Sequence, residues 1–173
     1  MTSFGKTFIA EWMPEQAIEK LSYVKKLPDI YREKTPSLAK LKREMGETYA
    51  LDYLMKWIIL LNKMVNVGNK MQAFQVKYTA KLILDENPLL TIADIKYVFD
   101  KAISGHYGEL YNRLDSTVLC RWFRQHWDER LEAAGIESEI SHTQSKETFK
   151  GERNYSGKAE YKKFIKQYKQ KKR

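Results

Sequence analysis

The stretch Glu47–Val67, ETYALDYLMKWIILLNKMVNV, decides the fold class. Tyr53, Leu54, Trp57, Ile58, Leu61 and Val65 recur at helical steps, which gathers them on one face of an α-helix and not on the alternating face of a strand. Ile59 and Leu60 widen the stripe, so this helix is expected to be buried on more than one side. Gly68 closes it.

The neighbouring segments read the same way. Downstream, Met71, Phe74, Tyr78 and Leu82 form a second stripe that stops at Asn87-Pro88. A third begins at Thr91, where a threonine cap with Asp94 three residues on makes a capping box. Its core face is Ile92, Ile95, Val98, Phe99 and Ala102. Asp115-Ser116 caps another helix, whose Val118, Leu119, Trp122, Phe123, Trp127 and Leu131 face inward, with Gly135 as its stop. Upstream, Pro14 opens a helix with Ala17, Ile18, Leu21 and Val24 on one face. Thr35-Pro36 reads as cap and first turn of the short basic helix SLAKLKREM.

No segment alternates convincingly at period two, and no Asn-Gly or Asp-Gly hairpin signal occurs. The expected fold is all-α, a compact bundle of about six helices with a basic, flexible C-terminal tail. Residues 1–135 form the helical body, within which 1–45 is a loosely attached N-terminal part. Residues 136–157 read as a polar linker and 158–173 as the basic tail.

Charge separates these parts. The chain carries 31 Lys and Arg against 22 Asp and Glu, a net charge of +9. Eleven of those basic residues but only three of the acids fall after Ser145, so the last twenty-eight residues hold nearly all of the excess. In the tail, Lys158, Lys162, Lys163, Lys166, Lys169, Lys171, Lys172 and Arg173 are interleaved with Tyr161, Phe164 and Tyr168. Lysines that contact phosphates beside rings that stack on bases are the combination used on single strands. A solubilising terminus and a lipid-surface helix are the other readings of such a segment. On the 116–134 helix, Arg121 and Arg124 lie away from the aromatic stripe. They are candidate phosphate contacts, or a solvated face in which Arg124 pairs with Asp128.

The corner SGHYGELYNRLD (104–115) concentrates the residues that would suit a catalytic loop. His106 would need an oriented carboxylate or nucleophile, and nothing in the spacing compels one. A structural corner explains the same residues. Gly105 ends a helix in the left-handed conformation, Gly108 permits a tight turn, Tyr107 and Tyr111 pack down, and Arg113 ties to an acid such as Asp115. No enzymatic activity and no cofactor is expected. Histidines and Cys120 lack metal-ligand spacing, and no phosphate-binding glycine loop occurs, so no metal site is expected. One cysteine forms no internal disulfide, WIILL is too short to span a membrane, and no signal peptide is apparent. A cytoplasmic protein is expected.

Leu90, Thr91, Asp94, Ile95, Gly105, Tyr107, Gly108, Leu110, Tyr111, Arg113, Leu114, Asp115, Trp122, His126 and Arg130 carry a family resemblance. The segment 90–134 resembles a region of short, mostly uncharacterised α-helical proteins of Bacteroidota phages and mobile elements. Ser104 departs from that pattern, which has a lysine-like residue ahead of the first glycine. More distantly, a helical body with a charged tail is similar to phage replicative-helicase loaders. That resemblance implies a non-enzymatic DNA-replication accessory protein binding single-stranded DNA and a protein partner, a replicative helicase. A transcriptional or anti-host regulator acting by protein binding is the alternative.

Overall fold

The computed structural model describes residues 2–108 and 113–136. The chain divides into two units, Met1–Glu129 and Arg130–Arg173. Of the second, residues 130–136 are described and are helical. Among the described residues the secondary structure is all-helical, with eight helices. These are α1 (Ser3–Trp12), α2 (Pro14–Lys20), α3 (Leu27–Arg32), α4 (Leu38–Met45), α5 (Glu47–Met64), α6 (Ala73–Glu86), α7 (Ile92–Ile103) and α8 (116–136). Two of them, α1 and α3, add to the expected six. α1 presents Phe4, Phe8 and Trp12 at steps of four, a stripe short enough to pass unread.

α5 is the centre of the first unit. Tyr53, Leu54, Trp57, Ile58 and Leu61 are buried as their spacing requires, whereas Ile59 is exposed. The helix therefore buries one broad face and not its whole circumference. Residues 1–45 are integral to the core: Phe8, Ala17, Leu21, Val24, Ile30, Leu38 and Leu41 are each at most 2% exposed. Phe8 packs edge-on to Tyr53, and the Tyr53 hydroxyl donates to the Trp12 carbonyl at 2.6 Å. Loose attachment of this region does not fit such burial.

The starts of α4 and α7 are stitched together. Leu38 N donates to Leu90 O at 2.8 Å, Ala39 N to Pro88 O at 2.7 Å, and Ile92 N to Pro36 O at 3.1 Å. These bonds satisfy amide groups that a helix leaves bare at its N-terminus. Ser37, not Thr35, caps α4, accepting from Lys40 N. Thr35 caps across the junction, its hydroxyl accepting from Ala93 N at 3.2 Å.

α6 corrects the expected phase. Its buried residues are Val76, Thr79, Ala80, Ile83 and Leu84, while Phe74 and Tyr78 are 74% and 62% exposed. The inward face carries a threonine, which hides it from a hydrophobicity count. Thr79 is fully buried and hydrogen-bonds the Ser116 hydroxyl at 2.6 Å, so its polar atom is satisfied. On α8, Trp122 and Phe123 are buried as expected but Leu131 is 56% exposed.

Candidate functional site

Two places in the first unit gather chemistry: the junction of α7 and α8, and the outer face of α5 and α6. At the junction, α7 ends in the paired bonds of a Schellman turn. Gly105 N reaches Ala102 O at 3.1 Å and His106 N reaches Lys101 O at 2.9 Å. Gly105 has φ +79° and Gly108 φ +93°, a region where a Cβ is disfavoured. Tyr107 is buried and stacked on Trp122 with centroids 6.2 Å apart. Burial drives its phenol well above the ordinary value, so it stays neutral at ordinary pH. Arg113 reaches Asp115 at 3.3 Å, and Asp115 in turn caps α8 by accepting from Val118 N at 3.0 Å. Tyr111 lies outside the described residues.

His106 is exposed and faces the Glu129 carboxylate at 3.5 Å. Asp115, a carboxylate near it in sequence, is engaged by Arg113 and by Val118 N. Glu109 lies outside the described residues.

The better-built histidine is His126. Its Nε2–H donates to Asp94 Oδ1 at 2.8 Å, and neither side chain is exposed to solvent. The other Asp94 oxygen accepts from Thr91 N and from Thr91 Oγ1, both at 2.7 Å. One carboxylate thus caps α7 and anchors α8. His126 Nδ1 is buried without a partner among the described residues. An Asp–His pair of this kind resembles half a triad, but both side chains are shut away from solvent. Lys96 is a second buried polar group, held by Asp100 at 2.6 Å and by the Val24 carbonyl at 3.1 Å. Both groups were within reach of sequence reading. His126 is four residues from Trp122, and Lys96 is four from Ile92, so each lies on an inward stripe.

Cys120 is buried, and burial followed by the nearby Glu86 charge pushes its thiol up. That is the environment of an inert thiol. Among the described residues no group of three or more His, Cys, Asp or Glu is placed to hold a metal ion, and no helix is long and apolar enough to cross a membrane.

Arg121 and Arg124 are both exposed on α8. Arg124 pairs with Glu86 of α6 through two bonds of 3.2 Å, and not with Asp128. The cross-helix pair holds its guanidinium against the body. The remaining nucleic-acid candidates, Lys158 to Arg173, lie outside the described residues.

On the outer face, α5 and α6 leave an open groove of about 810 Å³ between Leu51, Phe74 and Tyr78. Lys77 and Lys81 edge it on α6, and Glu47 stands at its end. Lys81 is shared by Glu47 at 2.7 Å and Asp85 at 2.8 Å, and Lys42 also reaches Glu47 at 2.6 Å. Those two lysines hold the Glu47 carboxyl down at about 2. Local pattern hides this groove, because Phe74 and Tyr78 read as core residues on hydrophobicity and spacing alone.

Against known proteins, no family model, no curated protein and no solved structure matches the chain.

Proposed function

We propose that this protein is a non-enzymatic DNA-replication accessory protein of the helicase-loader kind. It binds single-stranded nucleic acid through its basic C-terminal segment and a protein partner through its helical body. The observation that carries the reading is the division of charge. Residues 146–173 hold eleven basic and three acidic side chains, and the residues before them hold 20 and 19. A near-neutral body has little to offer a phosphate backbone, whereas the tail alternates cations with aromatic rings. The body supplies an apolar groove of a kind that partners occupy, since exposed apolar surface of this sort marks interaction sites.

The test is direct. Fluorescence anisotropy with a labelled oligonucleotide should show binding by the full chain and its loss on truncation after Ser145. Co-purification of the full chain with a replicative helicase should follow. Equal binding by the truncated body would remove the tail from the reading. A regulator that acts by protein binding alone is the second reading, and the same exposed groove favours it. It requires that the full chain bind no oligonucleotide.

A further inference from the structure

We propose that the α5–α6 groove receives an amphipathic helix of a partner protein, whose apolar side chains enter between Leu51, Phe74 and Tyr78 and whose carboxylate meets Lys77. The inference rests on the partner-binding half of the function proposed above and names where, and by what chemistry, that partner docks.

Three observations favour this occupant. First, Phe74 and Tyr78 are the two most exposed aromatic side chains among the described residues, at 74% and 62%. They sit four residues apart on one helix, so their rings project side by side. From Phe74 to Lys81 the edge runs about 10 Å, two turns of helix, which matches a ligand reading out positions i, i+3 or i+4, and i+7.

Second, the charge of the rim is almost consumed. Lys81 is held by Glu47 and Asp85, and Glu47 is held again by Lys42. Lys77 is exposed on the same edge and makes no ion pair among the described residues. One uncompensated cation beside an apolar floor calls for one carboxylate. A single strand stacking on the two rings would bring several phosphates, with the Glu47 and Asp85 carboxylates close to their path. The rim has one unpaired lysine to set against those phosphates, too few for a nucleic-acid backbone.

Third, the position of Lys77 disfavours a second copy. It stands between Phe74 and Tyr78 on α6. A two-fold interface uses the same patch twice, so a second copy would have to answer Lys77 with an acid of this same face, and its Glu47 and Asp85 are already held by lysines.

The full chain serves as bait for a displayed library of short helices, varied among aliphatic and aromatic residues on one face and among acidic, basic and neutral residues beside it. Enriched helices should carry apolar residues at helical spacing with Glu or Asp alongside. Their affinity should drop by about tenfold or more on Phe74→Ala or Tyr78→Ala, as for anchors at an interface centre. Both side chains are exposed, so the fold should survive, and far-UV circular dichroism checks it. Reselection on Lys77→Glu should return Lys or Arg where Glu or Asp stood. The proposal is overturned if no helix enriches, if enriched helices bind both alanine variants unchanged, or if reselection keeps the acid. It is overturned too if these alanine variants weaken binding of labelled oligothymidylate by the full chain, which would make the face a stacking platform. Sedimentation showing a dimer that Tyr78→Glu dissociates would assign the groove to a second copy instead. Oligonucleotide binding lost only on tail truncation leaves the groove untouched, so each half of the function stands or falls separately.

Discussion

His126 Nε2 lies 2.8 Å from Asp94 Oδ1 with both side chains fully excluded from solvent, and Asp94 is also the third residue of α7, whose carboxylate closes the capping box with Thr91. A single carboxylate therefore fixes where α7 starts and where α8 packs. Removing either partner deprives the other of a buried charge-assisted hydrogen bond, which in comparable pairs costs about 3–5 kcal/mol. Asp94→Ala and His126→Ala should each destabilise by about that amount in urea unfolding. The double variant should cost less than their sum by about 1–3 kcal/mol, because the bond between the two side chains can be lost only once. Strict additivity would mean that the two side chains do not support one another.

The phase of α6 yields a second contrast. Ile83 is 1% exposed and packs in the core, so Ile83→Ala should cost about 2–5 kcal/mol. Tyr78 is 62% exposed, and Tyr78→Ala should change stability by no more than about 0.5 kcal/mol. Chemical denaturation measures both. A large loss for Tyr78→Ala would return that ring to the core.

What could be read beforehand follows from how each position signals its burial. The α5 face was legible because six apolar residues occupy one arc and the polar residues another. α6 offers two arcs of similar hydrophobicity, and ring size favours the outer one. The true face contains Thr79, a polar residue whose burial depends on Ser116 thirty-seven positions away, which no local pattern reveals. Capping shows the same divide. Thr91 with Asp94 is a local motif and was read from spacing alone. Thr35 looked like a local cap, but its oxygen serves Ala93 N, fifty-eight positions on. The groove is an outcome of that phase error, since its two rings become visible as surface only when Val76, Ala80 and Ile83 claim the interior.

The corner at Gly105 gives a test of backbone strain free of packing. Its φ is +79°, and a Cβ built there meets nothing within 4 Å. Any loss on substitution is thus conformational. Gly105→Val should destabilise by about 1–2 kcal/mol, the cost of a left-handed conformation for a residue with a Cβ. Gly105→Asn should cost less, because asparagine tolerates that region. Thermal unfolding of the two variants checks the order. Equal losses would point to the side chain's surroundings and not to φ.

Acid should weaken one surface network. Glu47 is hydrogen-bonded by Lys42 and Lys81, which lower its carboxyl from 4.5 to about 2. A depressed folded-state value stabilises above the unfolded value. That contribution is whole above pH 4.5 and fades as pH falls towards about 2. Glu47 is well exposed, so solvent screens the effect and it is small. Comparing melting temperatures of the native chain and Glu47→Gln from pH 6 downwards should show a gap that closes across this window. A gap that stays constant would mean that Lys42 and Lys81 do not hold the charge.

The tail separates electrostatics from stacking. Each phosphate neutralised on a single strand contributes about −0.7 to the slope of log affinity against log salt. With about five to seven contacts, the full chain should show a slope of roughly −3.5 to −5. Replacing Tyr161, Phe164 and Tyr168 by alanine removes rings but no charge. Affinity should fall, at about 1–3 kcal/mol for each base that loses its stacking partner, while the slope hardly changes, because stacking releases no counterions. Replacing Lys162, Lys163 and Lys166 by glutamine should do the reverse, flattening the slope by about 2. Anisotropy titrations over a range of salt distinguish the two classes. If the aromatic replacements leave affinity unchanged, the rings do not stack on bases and the segment binds as a simple polycation.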